Sequence, residues 1–439
     1  MIRALVLAAG LTPLASLAHA GDEWSQVYRI PSQGTSFLNA QSVGIHDDTI
    51  ASVSSFLYYD FDKDESRSGI TVSIYTRTPG GWVRDQALNY FDRPTNESVT
   101  GRVAMSADRI IACAPAARSI IYLVRNAEGV WINDPNAPFT VGSVGAREAA
   151  FDDDHIFTGR SYGEGSVSIY TADWQFTQQL FSPMPTQFGR FGYSLALEDG
   201  TLVVSEPGSR PTPDEPNIPL TQGRVHIFTR DGNSYTLAQT LEPPAPEPGA
   251  LFGASVSLHN GVLAIGAPYK ANADTPDGAV YIFRRATDGQ WSFSDLILAP
   301  DNISFDETAF GRNVSLRSNR LAIAAPSTRS GLFIYNYLNN DWSLSATIQT
   351  PLEPATAFSL AGNDDNLVFG SSSNTATALY VAPRTPECFR DLRGDANNDG
   401  VTDFHDLNRV LADYGLEGSD LPSDLNNDGI VDFIDLNFI

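Results

Sequence analysis

The sequence predicts an all-β fold, a seven-bladed β-propeller closed by an N-terminal strand, followed by a small α-helical C-terminal domain. Segments of about 50 residues recur as copies of residues 252–300, which is the period of a propeller blade. The last copy lacks its outer strand, and a matching strand stands alone before the first copy. Residues 388–439 then change to acidic, asparagine-rich loops. These observations divide the chain into residues 1–20, 21–387 and 388–439.

The copy at residues 252–300 predicts one antiparallel four-stranded sheet. Asn260-Gly261 and Asp288-Gly289 are two-residue hairpin turns between segments rich in β-branched and aromatic residues. The opening Phe252-Gly253 and the later Gly266-Ala267-Pro268 resemble the FG-GAP repeat of integrin-type β-propellers. That resemblance implies a propeller for residues 21–387.

Six other copies are predicted around this reference. They begin near residues 37, 98, 141, 191, 310 and 358. Four of them keep a recognisable segment at the Gly-Ala-Pro place: Val53-Ser54-Ser55, Cys113-Ala114-Pro115, Ser205-Glu206-Pro207 and Ala324-Ala325-Pro326. The seventh stops after its third strand, and residues 24–30 (WSQVYRI) resemble the fourth strands at residues 291–298 and 342–348. Pairing the two chain ends in one sheet removes an open edge. An open β-solenoid or two β-sandwiches are the alternatives.

The N-terminus predicts secretion. Arg3, an apolar run over residues 4–17 and Ala18-His19-Ala20 form a secretory signal with cleavage after Ala20. An N-terminal membrane anchor is the alternative reading. No later apolar run is long enough to span a membrane.

Charge and cysteine content narrow the partners. A formal net charge of -24 argues against nucleic acid and anionic membranes, and favours cations. We expect a monomer.

The sequence contains two cysteines, Cys113 and Cys388, so one disulfide bond between them is an alternative that the sequence leaves open. Cys113 stands at the place of Gly266 in its own copy, which favours a small core residue.

The tail contains two calcium-loop sequences, DANNDGVTDFHD and DLNNDGIVDFID, separated by one helical stretch. Each supplies oxygen ligands at loop positions 1, 3, 5, 7, 9 and 12 and a glycine at position 6. The expected ligands of two Ca²⁺ ions are Asp395, Asn397, Asp399, the Val401 carbonyl, Asp403 and Asp406, then Asp424, Asn426, Asp428, the Ile430 carbonyl, Asp432 and Asp435.

Asp at position 12 in both loops, with one intervening helix, resembles a type I dockerin. The resemblance implies docking to a cohesin-like domain. Loop positions 10 and 11, which help choose the partner in that family, are Phe404-His405 and Phe433-Ile434 here. Those four residues are the candidate partner contacts.

The propeller ligand is expected on one face. Loops joining strands 1 to 2 are trimmed short, whereas loops joining strands 2 to 3 vary widely, from three residues in the second copy to residues 208–222 in the fourth. Tyr58, Tyr59 and Phe61 place aromatic side chains in the first of these loops. Variable loops on a rigid ring suit recognition of an extracellular protein or glycan. Drift of solvent-exposed loops is the alternative.

Two function classes stay open. The six histidines are scattered, and no zinc spacing, serine nucleophile elbow or phosphate loop is present. The first hypothesis is a secreted, non-catalytic binding or scaffold protein. The second is a propeller glycoside hydrolase or polysaccharide lyase, because an acidic chain can still bring two carboxylates together. A carboxylate pair at the mouth of the central channel would favour the enzyme. An aromatic mouth with few carboxylates would favour the binding protein.

Overall fold

The structure, a computed structural model, describes residues 13–14, 27–30, 42–60, 65–78, 81–91, 102–114, 119–135, 137, 146–210, 217, 219–271, 278–300, 309–326, 331–349, 357–372 and 377–383. These residues form seven antiparallel sheets; in six of them the strands follow one another in chain order, and the seventh joins strands from both ends of the series. The predicted tail domain, residues 388–439, lies outside them.

Blades 1 to 4 are four-stranded, and the first strand of each is the innermost. Blade 1 contains β3 (Ser42–His46), β4 (Thr49–Asp60), β5 (Glu65–Thr78) and β6 (Gly81–Phe91). Blade 2 contains β7 (Val103–Met105), β8 (Arg109–Ala114), β9 (Ser119–Arg125) and β10 (Trp131–Asn133). Blade 3 contains β11 (Glu148–Phe151), β12 (His155–Arg160), β13 (Ser166–Thr171) and β14 (Phe176–Leu180). Blade 4 contains β15 (Leu195–Glu198), β16 (Thr201–Glu206), β17 (Arg224–Asp231) and β18 (Ser234–Leu241).

The remaining blades repeat this order. Blade 5 contains β19 (Ser255–His259), β20 (Val262–Ala267), β21 (Ala279–Arg285) and β22 (Trp291–Leu298). Blade 6 contains β23 (Asn313–Arg317), β24 (Arg320–Ala325), β25 (Gly331–Leu338) and β26 (Asp341–Gln349). Blade 7 contains β27 (Ala357–Gly362), β28 (Asn366–Ser372) and β29 (Thr377–Pro383) from the end of the series, and β2 (Val27–Ile30) from its start.

The seven blades close into a ring. The innermost strands contact one another in the order β3, β7, β11, β15, β19, β23, β27 and back to β3. Such a circuit contradicts an open solenoid or two sandwiches, so the seven-bladed propeller is confirmed. In the part of the chain that is described, no helix is long and apolar enough to cross a membrane.

The N-terminal strand completes blade 7, as the sequence predicts. Tyr28 pairs with Val381 and Ile30 with Leu379 in an antiparallel ladder. A short β1 (Pro13–Leu14), inside the predicted signal sequence, pairs with the outer side of β2. Trp24, which led to this prediction, lies outside the described residues.

The two sequence marks of each repeat meet at the interface between blades. Gly266 begins Gly-Ala-Pro, and a Cβ atom added to it would lie 2.0 Å from the carbonyl oxygen of Gly311 in the next blade. Gly311 and Gly253 adopt φ angles of 90° and 95°, which favour glycine. Phe310, just before Gly311, is fully buried and packs against side chains of both blades. The glycines therefore allow close approach of two backbones, and the phenylalanine fills the space beside them.

Two features differ in detail from the sequence interpretation. In blade 1 the second strand runs on to Asp60 and pairs with β5 along its whole length, so Tyr58 and Tyr59 belong to a long hairpin and not to an irregular loop. Cys113 is free and fully buried, which agrees with a small core residue. Cys388 lies outside the described residues.

Candidate functional site

The seven innermost strands enclose a central channel that contains a cavity of about 560 Å³. This volume lies within the range of roughly 300–1,000 Å³ typical of small-molecule sites. The cavity is lined almost entirely by the first strands of the blades and by the residues just before them. Its walls are therefore fixed by the ring itself.

In each of the seven blades, the residue that pairs with the first residue of the Gly-Ala-Pro segment is polar. These residues are Ser42, Arg102, Glu148, Ser194, Ser255, Asn313 and Ser359. The residue two positions further along each strand lies on the same side of the strand, and it is small in all seven blades. These are Gly44, Ala104, Ala150, Ala196, Ser257, Ser315 and Ala361, and each lines the cavity. The channel thus has a polar mouth that leads to walls of small residues.

The polar mouth opens on the face that the sequence analysis selected. It lies at the start of the first strand in each blade. In an antiparallel sheet, the loops joining strands 2 to 3 and those joining one blade to the next emerge at that end. The short turn at Asn260-Gly261 lies at the other end, with φ angles of 48° and 69° that suit a tight hairpin.

Arg102 reaches across this mouth. Its Nε atom lies 3.1 Å from Glu148 Oε2 in blade 3. Its Nη2 atom donates a hydrogen bond of 3.0 Å to Asn313 Oδ1 in blade 6. Blades 2 and 6 are not neighbours, so the guanidinium group spans the entrance. We name the residues around it, Arg102, Arg147, Glu148, Tyr193, Arg312 and Asn313, the mouth cluster.

Two further arginines face the same space. The guanidinium carbon of Arg147 lies 3.9 Å above the ring centroid of Tyr193, a close cation–π contact. Arg312 interacts electrostatically with Tyr193 from blade 6. Among the described residues, neither Arg147 nor Arg312 lies within ion-pair distance of a carboxylate, and Arg147 Nε is buried without a hydrogen-bond partner. Both therefore retain unused hydrogen-bond donors.

The electrostatics of the cluster shift its acidic groups. Burial raises the pKa of Glu148 to about 7, although Arg102 and Arg147 act in the opposite direction. Burial also acts to raise the pKa of Tyr193, but the charges of Arg147, Arg312, Arg102 and Arg190 outweigh it and lower that pKa to about 8. Glu148 therefore compensates the arginines only in part near neutral pH. The mouth is a local positive region in a chain whose formal charge is -24.

The rim of this face carries aromatic side chains. Tyr162 lies in the strand 2 to 3 turn of blade 3 and is 83% exposed. Tyr269 follows Gly266-Ala267-Pro268 in blade 5, and the guanidinium carbon of Arg210 lies 4.0 Å from its ring centroid. Aromatic and arginine side chains are the groups that most often anchor a bound partner.

The described part of the cavity wall does not contain the carboxylate pair of a glycosidase. Glu148 is the single carboxylate among the described residues that line it. Both inverting and retaining mechanisms commonly use two carboxyl groups across the scissile bond. Over the same residues, no group of three or more His, Cys, Asp or Glu side chains could hold a metal ion. The charged groups of the mouth cluster are thus three arginines and one carboxylate.

A second polar cluster lies buried between blades 3 and 4. Glu206 Oε2 lies 2.8 Å from His226 Nε2 and accepts a hydrogen bond of 2.6 Å from the Ser182 hydroxyl. A nucleophilic serine would instead donate to the histidine. Glu206 and His226 are at most 1% exposed. We infer that these hydrogen bonds stabilise the segment that joins blades 3 and 4.

Two of the residues predicted as functional lie in the described part of the chain, and the others lie outside it. Tyr58 and Tyr59 lie at the far end of β4, on the mouth face. Phe61 falls outside the described residues. The predicted calcium ligands and the partner contacts Phe404, His405, Phe433 and Ile434 also fall outside them, as do residues 211–216 of the long loop in blade 4. The structure does not test those predictions.

Sequence reasoning missed the mouth cluster, although a comparison of copies held part of the signal. Tyr193 and Arg312 directly follow a Phe-Gly pair, at the position that Ala254 occupies in the reference copy. Large polar residues at that place are unusual for a tightly packed strand start. Arg102 and Arg147 follow no Phe-Gly pair, so their copies gave no comparable alignment.

Comparisons with known proteins agree on the fold. A family model described as "FG-GAP repeat" matches residues 235–283, from β18 into β21, which is about one repeat. A chain from a solved structure titled "Crystal Structure of Mitotic Checkpoint Complex" is similar with a TM-score of 0.51 and 11% identity, over 87% of this chain and 97% of that chain. This likeness shows the fold alone, since one fold serves many functions. No curated protein matches the chain.

Proposed function

We propose that this chain is a secreted, calcium-binding, non-catalytic binding or scaffold protein. Its propeller recognises a protein or glycan at the mouth face, and residues 388–439 attach it to a cohesin-type partner. The observation that carries the proposal is the mouth cluster, where three arginines and a tyrosine converge on a cavity with one carboxylate among its described lining residues. FG-GAP repeats in a closed propeller support a binding or scaffold role.

A ligand screen with the full chain tests the proposal. The chain would be applied in millimolar Ca²⁺ to arrays of neutral and acidic glycans and of extracellular proteins. In parallel, each polysaccharide would be incubated with the chain and analysed for shortened products. We expect retention of one ligand class without product. Product formation, or no retention of any ligand, would contradict a non-catalytic binding role.

A polysaccharide lyase is the second candidate, and one observation favours it. β-Elimination from an acidic sugar needs a base near a carboxylate whose charge is neutralised by cations. Tyr193, with its pKa lowered to about 8 by nearby arginines, is the group of that kind in the mouth. However, Tyr193 is only 8% exposed and Arg147 covers its ring. The ultraviolet absorbance of an unsaturated product in the same digestions distinguishes this reaction from binding.

The calcium proposal makes a separate prediction for the tail. Ten carboxylate and amide side chains are expected to surround two ions, and they repel one another when the ions are removed. We expect EDTA to unfold residues 388–439 while the propeller stays folded. Limited proteolysis of the full chain should then cleave within the tail in EDTA and spare it in millimolar Ca²⁺. Equal cleavage of the tail in both conditions would exclude calcium-dependent folding.

A further inference from the structure

The mouth cluster carries more positive than negative charge. Arg102, Arg147 and Arg312 contribute three positive charges, and Glu148 contributes at most one negative charge. Arg102 is already engaged by Glu148 and Asn313. Arg147 and Arg312 have no carboxylate within ion-pair distance in the described part of the chain. Two guanidinium groups in one partly enclosed site are thus left for an external anion.

The shape of the site limits what can carry that anion. The cavity is walled by seven strands that close on themselves. A closed wall cannot admit the middle of a polymer from the side, so the ligand must be a small molecule or a chain end. The planar fork of a guanidinium group fits the two oxygens of a carboxylate.

Hydroxyl groups lie further along the channel wall. Ser257 and Ser315 occupy the small-residue register in blades 5 and 6, three positions along the strands from the register of Arg312. The Ser257 Oγ atom accepts a hydrogen bond of 2.9 Å from the Leu316 amide. The hydroxyl group can still donate its own proton, and a ligand oxygen can accept it. The wall therefore offers cations to a carboxylate and hydroxyls to neighbouring oxygens.

We propose that the mouth cluster binds the carboxylate of a hydroxylated acid, such as an acidic sugar at the end of a glycan, through Arg147 and Arg312, with Ser257 and Ser315 contacting its hydroxyl groups. This inference rests on the proposed binding role and specifies its ligand. Arg102, held by Glu148 and Asn313, positions the cluster and adds positive potential.

Calorimetric titration of the full chain in millimolar Ca²⁺ tests the ligand class. The probes are D-glucuronate, D-glucose, acetate, inorganic phosphate and a short N-acetylated peptide with uncharged side chains and a free C-terminal carboxylate. We expect glucuronate to bind most tightly, glucose not to bind, and affinity to fall as salt is added. If acetate bound as tightly as glucuronate, the proposed hydroxyl contacts would be contradicted. If phosphate bound as tightly as glucuronate, the proposed selection of a carboxylate would be contradicted. Tighter binding of the peptide would assign the site to a protein terminus and overturn the sugar acid.

Variants test the residues. Arg312→Ala introduces the residue that blade 5 carries at the same register, Ala254, so the strand should tolerate it. We expect a loss of glucuronate affinity of about tenfold or more, because a charge-assisted hydrogen bond is removed. The glucuronate affinity of Arg312→Lys should lie between those of the unchanged chain and Arg312→Ala, because lysine keeps the positive charge but lacks the planar guanidinium group. Arg125→Ala, at an exposed turn of blade 2, removes the same charge elsewhere and should leave affinity unchanged.

The melting temperature of each variant shows whether it folds. Unchanged glucuronate affinity in a folded Arg312→Ala variant would overturn the inference. If the array screen still finds a ligand in that case, the proposed binding role stands and a different surface carries it. If neither the screen nor the titration finds binding, both fail.

Discussion

Chains that begin at residue 34 are expected to melt at a lower temperature than chains that begin at residue 21, and to aggregate. The shorter chain lacks β2, which is the outermost strand of blade 7 in the longer chain, because residues 1–20 are absent from both. Three residue pairs join β2 to β29. At about 1 kcal/mol for each of roughly three lost hydrogen bonds, and a little over 1 °C per kcal/mol for a propeller of this length, the expected decrease is roughly 3–5 °C. The exposed edge of β29 then offers unpaired backbone groups to other molecules.

Calorimetry and light scattering measure the two effects. A synthetic peptide of residues 21–33 provides the matched control, because it restores the strand without restoring the covalent link. We expect the peptide to raise the melting temperature of the shorter chain and to suppress its aggregation. A shorter chain that remains monomeric, with the melting temperature of the longer one, would contradict closure by β2.

Gly266→Ala is expected to destabilise the propeller by roughly 3 kcal/mol or more, near the upper end of overpacking costs. The added Cβ atom would lie 2.0 Å from the Gly311 carbonyl oxygen and 2.4 Å from Ser255 Oγ. The carbonyl is backbone and cannot rotate away, so the two blades must separate. Urea unfolding monitored by tryptophan fluorescence measures the change.

Ala324 provides the matched control, because it occupies the same register in blade 6 and already carries a methyl group. Ala324→Gly should cost about 1–2 kcal/mol, from chain entropy and from the loss of one buried methyl group, without any backbone clash. Gly159→Ala tests the contact independently, since its Cβ would lie 2.3 Å from the Gly192 carbonyl oxygen. An unchanged urea midpoint in both glycine variants would show that the blades are not held by these contacts.

The propeller could be predicted from the sequence because its signals repeat. Phe252-Gly253 and Gly266-Ala267-Pro268 fix both ends of the first hairpin of their copy, and four of the six other copies keep a recognisable segment at the Gly-Ala-Pro place. The split blade followed from one unmatched strand, and the ladder between Tyr28 and Val381 confirms it. Local turn chemistry and a period of about 50 residues were sufficient for this part.

The mouth cluster could not be predicted in the same way. Arg102, Arg147 and Arg312 come from three different blades and lie far apart in the chain. In the sequence, each of these arginines is a single charged residue next to a predicted strand, and no neighbouring residue marks it as part of a site. They converge only because seven strand starts surround one axis, and that convergence depends on ring closure and register. The length of the β4–β5 hairpin was missed because Tyr58 and Tyr59, which are good strand residues, continue the pairing past the Gly-Ala-Pro place.

The contact between glycine and carbonyl also divides the ring into two kinds of arc. Among the described residues, Gly165, Gly223 and Gly278 each face the carbonyl oxygen of the phenylalanine in the next blade's Phe-Gly pair, so blades 3 to 6 are joined backbone to backbone. Between blades 1 and 2, Gly44 instead faces the side chains of Val103 and Met105. A gene duplication that added a repeat would narrow the angle between all blades. The backbone-joined arc could not absorb that change, whereas the side chains between blades 1 and 2 could repack, so we expect a ring with an added repeat to open there first.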